Sequence, residues 1–120
     1  MNALTGRRIL LVEDEFIVAE TVADMLRDLG AEVVGPAARL ASGMQLAKTE
    51  QFDAAVLDIN LAGERSDAIA DLLDALEIPY ILATGYGKLA DRGGGVRVLE
   101  KPYTEDGLLD ALSRALEHRP

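Results

Sequence analysis

The sequence predicts an α/β fold: a parallel sheet of five strands with helices on both faces. Two observations predict it. Short apolar runs without helical spacing alternate five times with amphipathic stretches. The runs are also nearly continuous in their apolar character, as in strands buried on both faces rather than half-solvated antiparallel ones. A length of 120 residues suits one domain, residues 1–120, with a single core that removes about two-thirds of the unfolded surface from water.

The elements follow in order. Arg8 to Val12 (RILLV) reads as a first buried strand. Val18, Val22, Met25, Leu26 and Leu29 recur at helical spacing, and Gly30 stands where a helix ends. Glu32 to Val34 is a second strand, which Gly35-Pro36 should stop. Leu40 to Thr49 suits a short helix with Met44 and Ala47 inward, although Gly43 lowers its intrinsic propensity. Ala54 to Leu57 is a third strand ending at Asp58. Ile69, Leu72, Leu73 and Leu76 mark a helix that Ser66 is placed to cap. Pro79 precedes a fourth strand, Tyr80 to Ala83, and Val96 to Leu99 is the fifth. The glycine-rich stretch between them, Gly85 to Gly95 (GYGKLADRGGG), leaves room only for a short, weak fourth helix. Leu108, Leu109, Leu112, Ala115 and Leu116 form a fifth helix that Thr104 could cap.

Composition narrows the function. Apolar residues at 49% and charged residues at 28% exclude a disordered chain, and aromatics at 4% make the core aliphatic. Twelve basic against 21 acidic residues leave a net charge of −9, which repels nucleic-acid backbones and anionic lipid. The absence of cysteine excludes disulfides, thiol catalysis and cysteine-ligated zinc. No 18-residue apolar run occurs and the N-terminus lacks a long apolar signal core, so a cytoplasmic protein is the expectation.

Right-handed crossovers restrict the topology, and five strands fit the doubly wound order 2-1-3-4-5. In such sheets ligands bind at the carboxyl ends of the strands. The first strand ends into Glu13-Asp14-Glu15, the third at Asp58, the fourth at Thr84 and the fifth into Glu100-Lys101. Taken singly, each is a common turn, strand or surface residue; their joint placement at one edge carries the argument. Clustered carboxylates repel unless a cation neutralises them. Mg²⁺ takes oxygen ligands, typically one or two carboxylates plus water and phosphate oxygens, and Asp14 and Asp58 fit that description. An Asp beside such a cation, with Lys and Thr donors nearby, suits phosphoryl transfer to the carboxylate.

These motifs (LLVEDE, VLDINLAG, LATGYG and LEKPY) in this order resemble the receiver domain of two-component response regulators, over nearly the whole chain. The stretch Ala83 to Gly87 with Lys101-Pro102-Tyr103 further resembles a receiver subgroup bearing a Phe-Ala-Thr-Gly-Tyr motif, with Leu82 in place of the Phe. The resemblance implies a flavodoxin-like sheet and a Mg²⁺-dependent phosphorelay switch. Asp58 would accept the phosphoryl group from a histidine kinase or phosphotransfer protein. Asp14 would bind Mg²⁺ directly, Glu13 through water and Asn60 by its backbone carbonyl. Thr84 and Lys101 would contact the phosphoryl oxygens, and Lys101-Pro102 would be cis.

Val98 stands where many receivers carry an aromatic switch residue. Switching is therefore expected to use Gly85 to Gly95, ordering when the Thr84 hydroxyl engages a phosphoryl group. Tyr86 could limit water access to an acyl phosphate, and His118 is expected to be solvated. Only His118-Arg119-Pro120 follow the last helix. Output is thus expected through protein contacts on the face of the fourth helical segment, fifth strand and last helix, with no DNA-binding module, nucleic acid or membrane partner. Two rivals stand beside this reading. One is an aspartate-nucleophile phosphatase of haloacid-dehalogenase type, in which Asn60 would have to replace a second acid. The other is a pseudo-receiver that is never phosphorylated.

Overall fold

A computed structural model describes residues 2–84, 97–100 and 104–117, with side chains placed for 2–83 and 104–117. The elements in chain order are β1 (Arg8–Val12), α1 (Phe16–Asp28), β2 (Glu32–Ala37), α2 (Leu40–Thr49), β3 (Ala54–Asp58), β4 (Asn60–Leu61), β5 (Glu64–Arg65), α3 (Asp67–Ala75), β6 (Tyr80–Thr84), β7 (Arg97–Glu100) and α4 (Glu105–Glu117). The main sheet has the order β2-β1-β3-β6-β7, all parallel. This is the expected 2-1-3-4-5 order. Four helices stand among the described residues; the expected weak fourth helix falls in 85–96, outside them.

Strand pleating divides the core. Ile9 and Leu11 of β1, Ala54 and Val56 of β3 and Ile81 of β6 pack with Val22 and Leu26 of α1 and Leu108 and Leu112 of α4. The alternate residues, Leu10, Val12, Ala55, Leu57 and Leu82, pack with Ala47 of α2 and Ile69 and Leu73 of α3. In the central strands β1 and β3, the side chains from Ile9 to Val12 and from Ala54 to Leu57 are all buried on one face or the other, which is why those runs read as continuously apolar. Each fully buried Leu or Ile contributes about 1.5–3 kcal/mol of transfer free energy.

Several boundaries shift from the expectation. Gly35-Pro36 does not stop β2, which continues to Ala37. Its register against β1 slips between Leu10 and Val12, and the Gly35–Pro36 peptide bond is cis. A proline without N–H is tolerated there because β2 is an edge strand and the ladder is irregular at that point. Gly35 itself has φ 103°, and a Cβ would lie 2.9 Å from the Leu11 carbonyl oxygen. Ser66 sits at the α3 N-cap position but makes no side-chain cap bond; its hydroxyl donates instead to the Ile59 carbonyl at 3.3 Å. Leu76 lies beyond α3 and is half exposed. Met44 is only partly buried, whereas Gly43 and Ala47 are the buried residues of α2. Thr104 caps α4 as expected, accepting the Gly107 N–H at 3.0 Å.

Gly43, unfavourable by propensity, is explained by packing. A Cβ there would stand 2.7 Å from Ile69 Cδ1 and 3.3 Å from both Val12 methyls. The helix lies so close to the sheet and to α3 that a Cβ fits only if the Ile69 terminal methyl moves and Val12 gives way. Gly43→Ala should therefore destabilise the fold by about 1 kcal/mol, overpacking of about 1–3 kcal/mol exceeding a propensity gain of about 1. Chemical denaturation should show a lowered midpoint at unchanged slope, and adding Ile69→Val should recover part of the loss. A G43A protein more stable than the parent would show that α2 can move away at no cost.

Candidate metal centre

The register of β1 against β3 builds the site. Val12 pairs with Leu57, so one residue further along each strand Glu13 comes beside Asp58 on the same face of the sheet. The Glu13 N–H donates to the Ala37 carbonyl at 2.9 Å and the Ile59 N–H to the Ala83 carbonyl at 3.2 Å, continuing the ladders past the strand ends. Glu13 and Asp58 are consequently held at fixed backbone positions, 2% and 7% exposed. Asp14 follows on the loop into α1 and is half-buried. One ligand atom from each of Glu13, Asp14 and Asp58 lies within 4.8 Å of the others.

Three carboxylates in so small a volume, two of them buried, need compensation. Backbone amides supply some. Glu15 N–H donates to Glu13 Oε2 at 3.1 Å, Asn60 N–H to Asp58 Oδ1 at 3.4 Å and Ala62 N–H to Asp14 Oδ2 at 3.0 Å. Burial raises the Asp14 carboxyl, but side-chain hydrogen bonds with Asp58 and Glu13 and the Ala62 amide outweigh it, leaving Asp14 below its ordinary value. Asp14 is thus an ionised member of the group at neutral pH. An all-oxygen donor set of high negative charge matches a hard divalent cation, so the residues present fit Mg²⁺.

The predicted acids therefore meet. Asn60 stands at the start of β4, its side-chain Oδ1 accepting the Gly63 N–H at 2.9 Å. The Thr84 backbone closes β6 and pairs with Glu100, the last residue of β7, at the same edge of the sheet. The Thr84 side chain, Lys101 with its Lys101-Pro102 bond, Tyr86, the Gly85–Gly95 stretch and His118 lie outside the described residues and side chains.

The sequence reading missed the antiparallel pair β4–β5. Its turn is Ala62-Gly63, with φ values of 53° and 93°. A glycine in a two-residue turn between short strands was the available signal, but strands of two residues carry too little periodicity to be seen.

Comparison with known proteins gives the same direction. Residues 9–113 match the family model described as "Response regulator receiver domain". The transcriptional regulatory protein PdtaR of Mycobacterium tuberculosis is 27% identical over 96% of this chain, which spans 59% of that protein's length. The solution structure of SdrG from Sphingomonas melonis Fr1 is 39% identical, covers 97% of this chain and 99% of its own, and superposes with a TM-score of 0.82. The receiver domain of the sensor histidine kinase PA1611 from Pseudomonas aeruginosa PAO1 is 26% identical, covers 94% of this chain and 99% of its own, and has a TM-score of 0.82. It was solved with a magnesium ion coordinated in its active site cleft.

Charge crowding has a measurable consequence. In the presence of a chelator, Asp58→Asn should stabilise the protein by about 1 kcal/mol, roughly 3–5 °C in melting temperature, because one of three neighbouring acids becomes neutral. A lower melting temperature for D58N than for the parent would show that repulsion does not dominate the site.

Proposed function

This chain belongs to the response regulator receiver domain family, whose members act as phosphorylation-dependent switches in two-component signalling, and from that premise we propose that Asp58 is its phosphoacceptor. Receiver domains are phosphoacceptor signalling domains rather than conventional enzymes. The observation that carries the proposal is the convergence of Glu13, Asp14 and Asp58 at the carboxyl edge of the sheet.

Glu13, Asp14 and Asp58 would hold Mg²⁺, with the Asn60 backbone carbonyl as a further ligand. Bound there, the ion supplies positive charge that offsets the acids and the phosphoryl oxygens. The chain's own residues do the rest. A carboxylate oxygen of Asp58 attacks the phosphorus of a donor phosphohistidine; the new O–P bond forms as the N–P bond breaks, and the imidazole leaves with its electron pair and takes up a proton. The Thr84 hydroxyl and the Lys101 ammonium donate to the phosphoryl oxygens, a role supported by the pairing of Thr84 with Glu100 one residue before Lys101. The same groups would assist the later hydrolysis of the acyl phosphate.

The partners would be a histidine kinase or phosphotransfer protein upstream and a protein target downstream, the latter on the face of β7, α4 and the segment preceding β7. Among the described residues no helix is long and apolar enough to cross a membrane. The phosphatase alternative gains nothing from the family match: Asn60 offers no second acid for a leaving group, and its side-chain oxygen is engaged with Gly63.

Incubation with acetyl phosphate and Mg²⁺ should add one phosphoryl group, read by intact mass. Asp58→Asn should abolish the addition, and Lys101→Ala should lower its extent or rate by about 10²-fold or more, on the scale of losing one charge-stabilising donor. Persistence of the group in D58N would place the acceptor elsewhere. Steady turnover of phosphomonoesters would favour the phosphatase.

A further inference from the structure

The β4–β5 hairpin stands directly against the acidic site, and beyond the Asn60 carbonyl the mechanism above gives it no role. Its base is fixed: Ser66 directs both its N–H, at 2.9 Å, and its hydroxyl, at 3.3 Å, to the Ile59 carbonyl. Ser66 is 2% exposed, so this pin is shielded from water. Its tip is held by two bonds, Gly63 N–H to Asn60 Oδ1 and Ala62 N–H to Asp14 Oδ2. The second crosses from the hairpin to a loop 48 positions away in sequence.

Ala62 has φ 53°, a left-handed conformation that is uncommon outside glycine. Strained conformations of this kind cost about 1–3 kcal/mol and persist where surrounding contacts hold them. Here the left-handed turn is what aims the Ala62 amide at Asp14. Without it, Asp14 on its connecting loop keeps only its contacts with the side chains of Asp58 and Glu13, which are themselves acids of the same site. With it, one oxygen is fixed and the plane of the carboxylate is set beside Glu13 and Asp58. Hydrogen bonds that orient a metal-ligating carboxylate typically account for about 10–100-fold in metal affinity.

We propose that Ala62 is a positioning residue for the cation site: the β4–β5 turn presents its N–H to Asp14 Oδ2 and thereby presets the carboxylate that receives a divalent cation. The inference rests on the reading of Glu13, Asp14 and Asp58 as that site. It assigns the hairpin a task that neither its short strands nor its exposed turn would otherwise have.

Mg²⁺ titration by calorimetry, followed in parallel by amide resonances, separates the inference from the reading beneath it. The parent should bind one ion, and the Ala62 amide resonance should shift with the same midpoint. Ala62→Val, whose branched side chain resists a positive φ, should weaken Mg²⁺ binding about 10-fold or more while the melting temperature in chelator falls by only a few degrees. Ala62→Gly, which adopts this φ freely, should hold the parent affinity within about two-fold. Asn60→Ala, which releases the bond from Gly63 N–H but keeps the backbone carbonyl, should weaken binding in the same direction as A62V. Equal Mg²⁺ affinity in the parent, A62V and N60A, or an Ala62 resonance indifferent to the ion, would overturn the positioning role while leaving the site intact. Failure of the parent to bind Mg²⁺ would overturn the site itself, and the inference with it.

Discussion

In-register pairing of β1 with β3 is the constraint on which the rest of this molecule depends. The two strands run parallel, so their carboxyl ends share one edge, and the Val12–Leu57 partnership fixes which residues emerge there together. A slip of one position would send Glu13 and Asp58 to opposite faces of the sheet, because the pleat alternates. The register is protected by burial: Ile9, Leu10, Leu11, Ala54, Ala55 and Leu57 are fully buried in two separate clusters. A one-residue slip would also move the buried residues of one strand into the wrong cluster. The aliphatic core thus supplies the free energy that holds like charges together at the sheet edge.

What surrounds those charges determines their chemistry. Close to the three carboxylates the structure places backbone amides, from Glu15, Asn60 and Ala62. Amide dipoles moderate the repulsion without neutralising it, and the site retains a net negative charge that a small cation can complete. The amides come from two segments, the loop into α1 and the β4–β5 hairpin, each following directly on a strand of the main sheet. Packing sets where the acids are, and short hydrogen-bonded turns set how they point.

The architecture was largely legible in the sequence because parallel strands leave a strong signal. Continuous apolar runs such as Leu10–Val12 and Ala54–Leu57 have few other homes, and the acids and Thr84 at their ends follow from topology. What was not legible depended on contacts remote in sequence. Gly43 reads as a helix weakness until Ile69 and Val12 are seen against it. Gly35-Pro36 reads as a strand stop, yet an edge position and a register slip let β2 pass through. Ser66 reads as a helix cap, but Ile59, seven residues earlier, offers its hydroxyl a buried acceptor. The hairpin at Ala62-Gly63 escaped because its strands are two residues long and its turn is held by side chains, those of Asn60 and of the remote Asp14.

The central claim, that acids distant in sequence form one cation site at the carboxyl edge of the sheet, is tested most directly by paramagnetic broadening. Mn²⁺ carries the same charge and oxygen preference as Mg²⁺ and broadens amide resonances near wherever it binds. At substoichiometric Mn²⁺, the amide signals around residues 13–15 and 58–62 should disappear, those of Arg8 and Phe52 at the opposite end of the strands should remain, and excess Mg²⁺ should restore the lost ones. Broadening spread over the acidic helix surfaces, with residues 13–15 and 58–62 no more affected than the rest, would contradict it.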